Sequence, residues 1–157
     1  MTVPVGLAHI GLHVRDIDAV FAWYQTHFGF ESQMRFPRPD LRVPLIEESG
    51  SEILLMRRGE LTIELIAAPG HQPHPMAWRD HVSAVGFGGF GHLCFEVPDC
   101  FAACAQLERQ GVPIKLGPTT WPQLGFSTAH FHDIEGNDLE ILSFHPEGAS
   151  DPVRSSP

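Results

Sequence analysis

Four residues recur in a pattern that could do metal chemistry. His9 and Glu64 lie 55 positions apart, His92 and Glu140 lie 48 apart, and the two histidines are separated by 83. Glu64 sits in "LTIELI" (61–66) and Glu140 in "NDLEIL" (137–142), each between apolar neighbours in the alternation of a half-buried strand. A carboxylate held away from water is costly unless it is paired or meets a cation. The alternative is a solvated sheet face, which antiparallel sheets commonly show. Two imidazoles and two carboxylates form a mixed nitrogen and oxygen donor set. That set suits a six-coordinate divalent ion such as Co²⁺, Ni²⁺, Mn²⁺, Fe²⁺ or Zn²⁺, with two positions left for water or substrate.

An internal repeat supplies the elements that must position these groups. "HIGLHVRD" at 9–16 and "HLCFEVPD" at 92–99 share His, Val and Asp at the same offset of 83: His9 and His92, Val14 and Val97, Asp16 and Asp99. Each stretch reads as a strand ending at an Asp able to cap a helix. Apolar residues then follow at helical spacing, Ile17, Val20, Phe21, Tyr24 and Phe28 in the first copy and Cys100, Ala103, Cys104 and Leu107 in the second. Gly29 and Gly111 stand where each helix should stop. Further strands are predicted at about 29–36, 51–57 and 61–67, then at about 112–116, 126–132 and 137–144. Each half reads β-α-β-β-β, an α+β domain over 1–146 with modules at about 6–70 and 89–146, a linker at about 71–88 and a disordered tail at 147–157.

Composition narrows the partners. The 157 residues are 43% hydrophobic and 18% charged, the balance of an ordinary folded domain. The net charge of −9 argues against nucleic acid or an anionic membrane, either of which needs a basic surface. No apolar run is long enough to span a bilayer, and "MTVPVGLAHI" lacks the features of a signal peptide, so a cytoplasmic location is expected. Cys94, Cys100 and Cys104 contain no C-x-x-C, and the helical spacing of the last two suits small buried side chains.

The segments "HIGLHVRDIDAVFAWYQTHFGF", "LTIELI", "GHLCFEVPD" and "HFHDIEGNDLEIL" resemble the signature segments of the vicinal-oxygen-chelate superfamily over about residues 6–146. That group includes glyoxalase I, methylmalonyl-CoA epimerase, fosfomycin-resistance and bleomycin-binding proteins, and extradiol dioxygenases. The resemblance implies paired βαβββ modules forming a curved mixed sheet around a metal cleft, with ligands at His9, Glu64, His92 and Glu140. A fourth protein ligand, Glu64, counts against the dioxygenases, which use a facial triad. The full ligand set counts against a metal-independent binding protein. "EESGSEILLMRRGELTIEL" is most similar to the epimerase pattern, which implies Glu48 as catalytic base, with Glu47 as the fallback and Glu140 as partner acid or base. The activity so implied is a metal-dependent isomerase or epimerase that abstracts a proton next to a carbonyl, acting as a homodimer on a small carbonyl or thioester substrate. A glyoxalase I-like lyase is the main alternative. Lys115 is the sole lysine, so no basic patch for CoA phosphates is evident.

Other motifs carry less. "GFGGFG" at 86–91 lacks the strand-before, helix-after context of a dinucleotide fingerprint and reads as a connector. His71, His74 and His81 fall in a proline-broken loop. Arg57-Arg58 reads as a solvated strand end, and His13 and His130 as supporting or surface residues. "GPTTWPQLGF" at 117–126 reads as a loop carrying Trp121.

Overall fold

The computed structural model describes residues 6–38, 40, 42–72, 77–79 and 91–145. It divides into two compact units, Met1–Pro75 and Met76–Pro157. The sequence readings of the "GFGGFG" connector, of His74 and His81, and of the tail at 147–157 fall wholly or almost wholly outside the described residues. None of the described helices is long and apolar enough to cross a membrane.

The first unit runs β1 (Ile10–His13), α1 (Ile17–Phe28), β2 (Glu31–Phe36), α2 (Pro44–Ser49), β3 (Glu52–Arg58) and β4 (Leu61–Ala67). Its four strands form one sheet in the order β1-β4-β3-β2, with β1 parallel to β4 and the other pairs antiparallel. Asp16 begins α1 by accepting a hydrogen bond from the Ala19 N–H at 3.0 Å, and Gly29 ends it in the left-handed region at φ 67°. Ile17, Val20 and Tyr24 recur on one helix face and are buried. The helix packs on β3 and β4, where Ile63 and Leu65 are fully buried. Alternation therefore sends Thr62, Glu64 and Ile66 to the sheet face opposite α1. At the rim, Arg35 of β2 joins Asp18 of α1 to Glu52 of β3, and its guanidinium holds the Asp18 carboxyl below the usual carboxylate range. All three are solvent-exposed, so this clasp adds little stability.

The second unit repeats the plan with β5 (Leu93–Glu96), α3 (Cys100–Arg109), β6 (Ile114–Trp121), β7 (Phe126–His132) and β8 (Asp138–Phe144). Sheet order is β5-β8-β7-β6, again with the first pair parallel. Asp99 caps α3 through the Ala102 N–H at 3.0 Å. Cys100, Cys104 and Leu107 are buried, and the Cys100 N–H donates to the Ser143 hydroxyl of β8 at 3.2 Å. Leu139, Ile141 and Ser143 therefore face the helix, and Glu140 faces away from it. The β7–β8 connection is held by Asp133, whose buried carboxylate accepts from the Glu135 and Asn137 backbone N–H groups and from the Asn137 amide. Gly136 is required there: its φ is 84°, and a Cβ would come within 2.7 Å of Trp78.

Two expectations are corrected. Glu47 and Glu48, which the sequence sets beside a Ser-Gly turn, are helical. They lie on α2, which starts at Pro44 and stops at Gly50 in the left-handed region. Residues 117–121 are not a loop either, since β6 continues through them to Trp121. The ladder to β7 shifts register between Leu116 and Thr119, so the irregularity absorbs Pro118, which has no N–H to donate.

Candidate active site

Each predicted His–Glu pair is brought together within its own unit. His9 immediately precedes β1, and Glu64 of β4 is the register partner of Gly11. His9 Nε2 lies 3.3 Å from Glu64 Oε2. In the second unit His92 immediately precedes β5, and Glu140 of β8 is the partner of Cys94. His92 Nε2 lies 2.9 Å from Glu140 Oε2. Both carboxylates are largely withdrawn from water, with side-chain exposures of 21% for Glu64 and 14% for Glu140. The repeat thus places the same pair, from corresponding strands, on the sheet face opposite α1 in one unit and opposite α3 in the other.

These separations suit a cation. Nitrogen and oxygen ligands at about 2.1 Å in adjacent positions around an octahedral ion stand about 3 Å apart. Each carboxylate also has an imidazole nitrogen within contact distance, so neither sits at its sheet face without a polar partner. Among the described residues no three His, Cys, Asp or Glu side chains group to hold an ion.

The two units differ beside the carboxylate. The neighbour of Glu64 on β3 is Leu55, whereas the neighbour of Glu140 on β7 is His130. His130 is buried, its Nε2 lies 3.7 Å from Glu140 Oε1, and its Nδ1 lies 3.4 Å from Asp138 Oδ1. Its ring also meets the His92 ring edge-on at 5.2 Å between centroids. Glu140 therefore lies between two imidazoles. The sequence undervalued His130 because its weight comes from the β7–β8 register rather than from any local motif. A third group is Cys94, whose thiol is pushed up to about 12 by burial and by a hydrogen bond to Glu140.

The proposed base on α2 has a different setting. Glu48 is exposed. Glu47 is gripped by Arg42 through contacts of 2.6 and 3.1 Å, which hold its carboxyl below the usual range. His13 is exposed on β1. A polar cavity of about 300 Å³ in the first unit is lined by Arg57 and Arg58. Those guanidiniums are engaged locally, Arg57 donating to the Gly59 carbonyl and Arg58 to that of Gly29 at the end of α1.

Residues 6–141 match the model of the Glyoxalase/Bleomycin resistance protein/Dioxygenase superfamily. The chain belongs to that superfamily. It is 27% identical to glyoxalase I of Saccharomyces cerevisiae over 95% of its own length, and it spans 48% of the length of that curated relative. Among solved structures, the trypanothione-dependent glyoxalase I of Leishmania major superposes with a TM-score of 0.63 at 19% identity, covering 89% of this chain and 87% of that one. The fosfomycin resistance protein FosX of Listeria monocytogenes, solved with Mn(II) and sulfate, gives a TM-score of 0.62 at 16% identity, covering 92% and 97%. The two four-stranded mixed sheets are the glyoxalase-like fold that the resemblance implies.

Proposed function

We propose that this chain is a divalent-metal-dependent enzyme that moves a proton on the carbon next to a carbonyl, in the manner of glyoxalase I, with Glu140 as the base. The ligands assigned are His9, Glu64, His92 and Glu140. The observation that carries the reading is the setting of Glu140. It lies between His92 and His130, shielded from bulk water, and lines a cavity of about 400 Å³. When bound, a divalent ion supplies Lewis acidity to the carbonyl oxygen and offsets the charge that develops there. The chain's own part is proton handling. Glu140 takes the proton from the carbon and returns it to the adjacent position, while His130, tied to Asp138, orients the carboxylate from the side away from His92. The 27% identity to a glyoxalase I supports this chemistry over others of the superfamily.

A second reading, an epimerase like that acting on methylmalonyl-CoA with Glu48 as base, is favoured by one feature. Because Arg42 occupies Glu47, Glu48 is the acid of the pair left available on α2. The two readings separate in D₂O. The protein, loaded with Co²⁺ or Ni²⁺, is incubated with acyl-CoA thioesters and with hemithioacetals of alkyl and aryl 2-oxoaldehydes, and loss of the α-proton signal is followed by NMR. Metal-dependent exchange is expected, and Glu48→Gln is expected to keep near-wild-type rates. A fall of about 10²–10⁴-fold in Glu48→Gln would transfer the base to Glu48. Absence of exchange with every compound would leave the ligand-sequestering role of the superfamily's resistance proteins.

A further inference from the structure

The face of the second sheet opposite α3 carries more than the Glu140 cluster. The cavity of about 400 Å³ there is lined by Leu116, Trp121, Phe126, Thr128, His130 and Glu140, with Thr119 beside them. Register fixes its layout. Glu140 pairs with His130, and Trp121 with Phe126, four residues back along β7. At about 3.3 Å per residue the aromatic pair lies about 13 Å from the polar one, with Thr128 midway. The Trp121 indole N–H donates to the Thr128 hydroxyl at 3.3 Å, so what this ring offers a ligand is its π surface. Trp121 is 46% exposed and Leu116 44%, and Phe144 extends the aromatic surface by an edge-on contact with Phe126. Exposed apolar surface of this kind at the mouth of a reactive site marks a place where a ligand is bound.

The charges are as informative as the aromatics. Among the described residues lining this cavity there is no Lys or Arg, and Glu140 is the one carboxylate. In a chain of net charge −9, an anionic ligand arm would find no basic side chain among these described residues to offset its charge. We infer that the cavity is the substrate pocket and takes an uncharged carbonyl compound bearing an aromatic or bulky apolar arm, with Trp121 as the residue that selects the arm. The assignment rests on Glu140 being the reacting carboxylate: the carbonyl head lies at Glu140 and His130, and the arm runs along Thr128 to Trp121 and Phe126. A CoA thioester or a thiol conjugate carrying several carboxylates has the wrong charge for it.

Equilibrium binding to the full chain tests this with three probes: 1-phenyl-1,2-propanedione, 2,3-butanedione, which has the same head without the arm, and phenylpyruvate, which is anionic. Each is measured with Ni²⁺-loaded and with EDTA-treated protein, so that selection of the arm is read independently of metal and of turnover. The phenyl diketone is expected to bind about tenfold or more tighter than butanedione in both forms, and tighter than phenylpyruvate. Trp121→Ala is expected to remove about tenfold of that preference, and Trp121→Phe to restore most of it. Retention of the preference in a protein that neither binds metal nor exchanges α-protons would refute the enzymatic reading while upholding the pocket. Equal affinity for the two diketones, no measurable binding of the phenyl compound, or tighter binding of phenylpyruvate overturns the inference. So does a Trp121→Ala protein with unchanged probe affinity and an altered sedimentation coefficient, because the face is then a contact between proteins.

Discussion

Glu140→Gln is expected to lower solvent-deuterium exchange into a turned-over substrate by about 10²–10⁴-fold at saturating metal, the loss that follows removal of a general base. The change keeps size and an oxygen donor but removes the charge that accepts the proton. Glu140 projects from the face of β8 opposite α3, while Leu139 and Ile141 on either side carry the packing, so the fold should be retained. Far-UV circular dichroism should therefore match wild type. The contrast with Glu48→Gln is the point of the experiment, because Glu48 is exposed at the end of a six-residue helix and the account gives it no proton to move. Exchange that survives Glu140→Gln would exclude this carboxylate as the base.

The largest stability effect is expected at Phe131, which is fully buried on the helix side of β7 and is the register partner of Leu139. Truncating a buried Phe removes its transfer free energy and leaves a cavity, so Phe131→Ala should cost about 3–5 kcal/mol. Phe144 supplies the control. It lies on β8 but is 61% exposed, and Phe144→Ala should change stability by less than about 0.5 kcal/mol. Urea unfolding reads both effects as shifts in midpoint at constant slope. A small shift for Phe131→Ala would mean that β7 is not anchored by the core described for the second unit. The anchoring matters for chemistry because the same strand carries His130 to Glu140.

Much of this architecture was legible in the sequence because repetition and periodicity are local signals. The offset that joins His9 to His92 also joins Asp16 to Asp99, and both aspartates do cap helices. Strand alternation placed Glu64 and Glu140 on the face opposite the buried Ile63 and Ile141, and β4 and β7 have the bounds their patterns suggested. What was missed depends on signals too short or too distant to read along the chain. Helix α2 spans six residues, too few for a periodic face, and its Pro44 start and Gly50 stop look like turn chemistry when read alone. Strand β6 was cut short at Gly117-Pro118 because a proline argues against a strand until a bulge excuses it from the ladder. His130, Thr128 and Trp121 become one surface through the pairing of β6, β7 and β8, and no spacing within the sequence encodes that register.

Metal stoichiometry reads out the ligand set. Wild-type protein and Glu64→Ala are loaded with Ni²⁺, dialysed to remove loosely held ions, and assayed for metal per chain by elemental analysis. About one ion per chain is expected in wild type and a clear loss in Glu64→Ala, with the circular dichroism of the folded protein unchanged, since the substitution vacates a coordination position on the face of β4 opposite α1. Unchanged metal content in Glu64→Ala would contradict the assignment of Glu64 and, with it, of the repeated His–Glu pairs as a metal site.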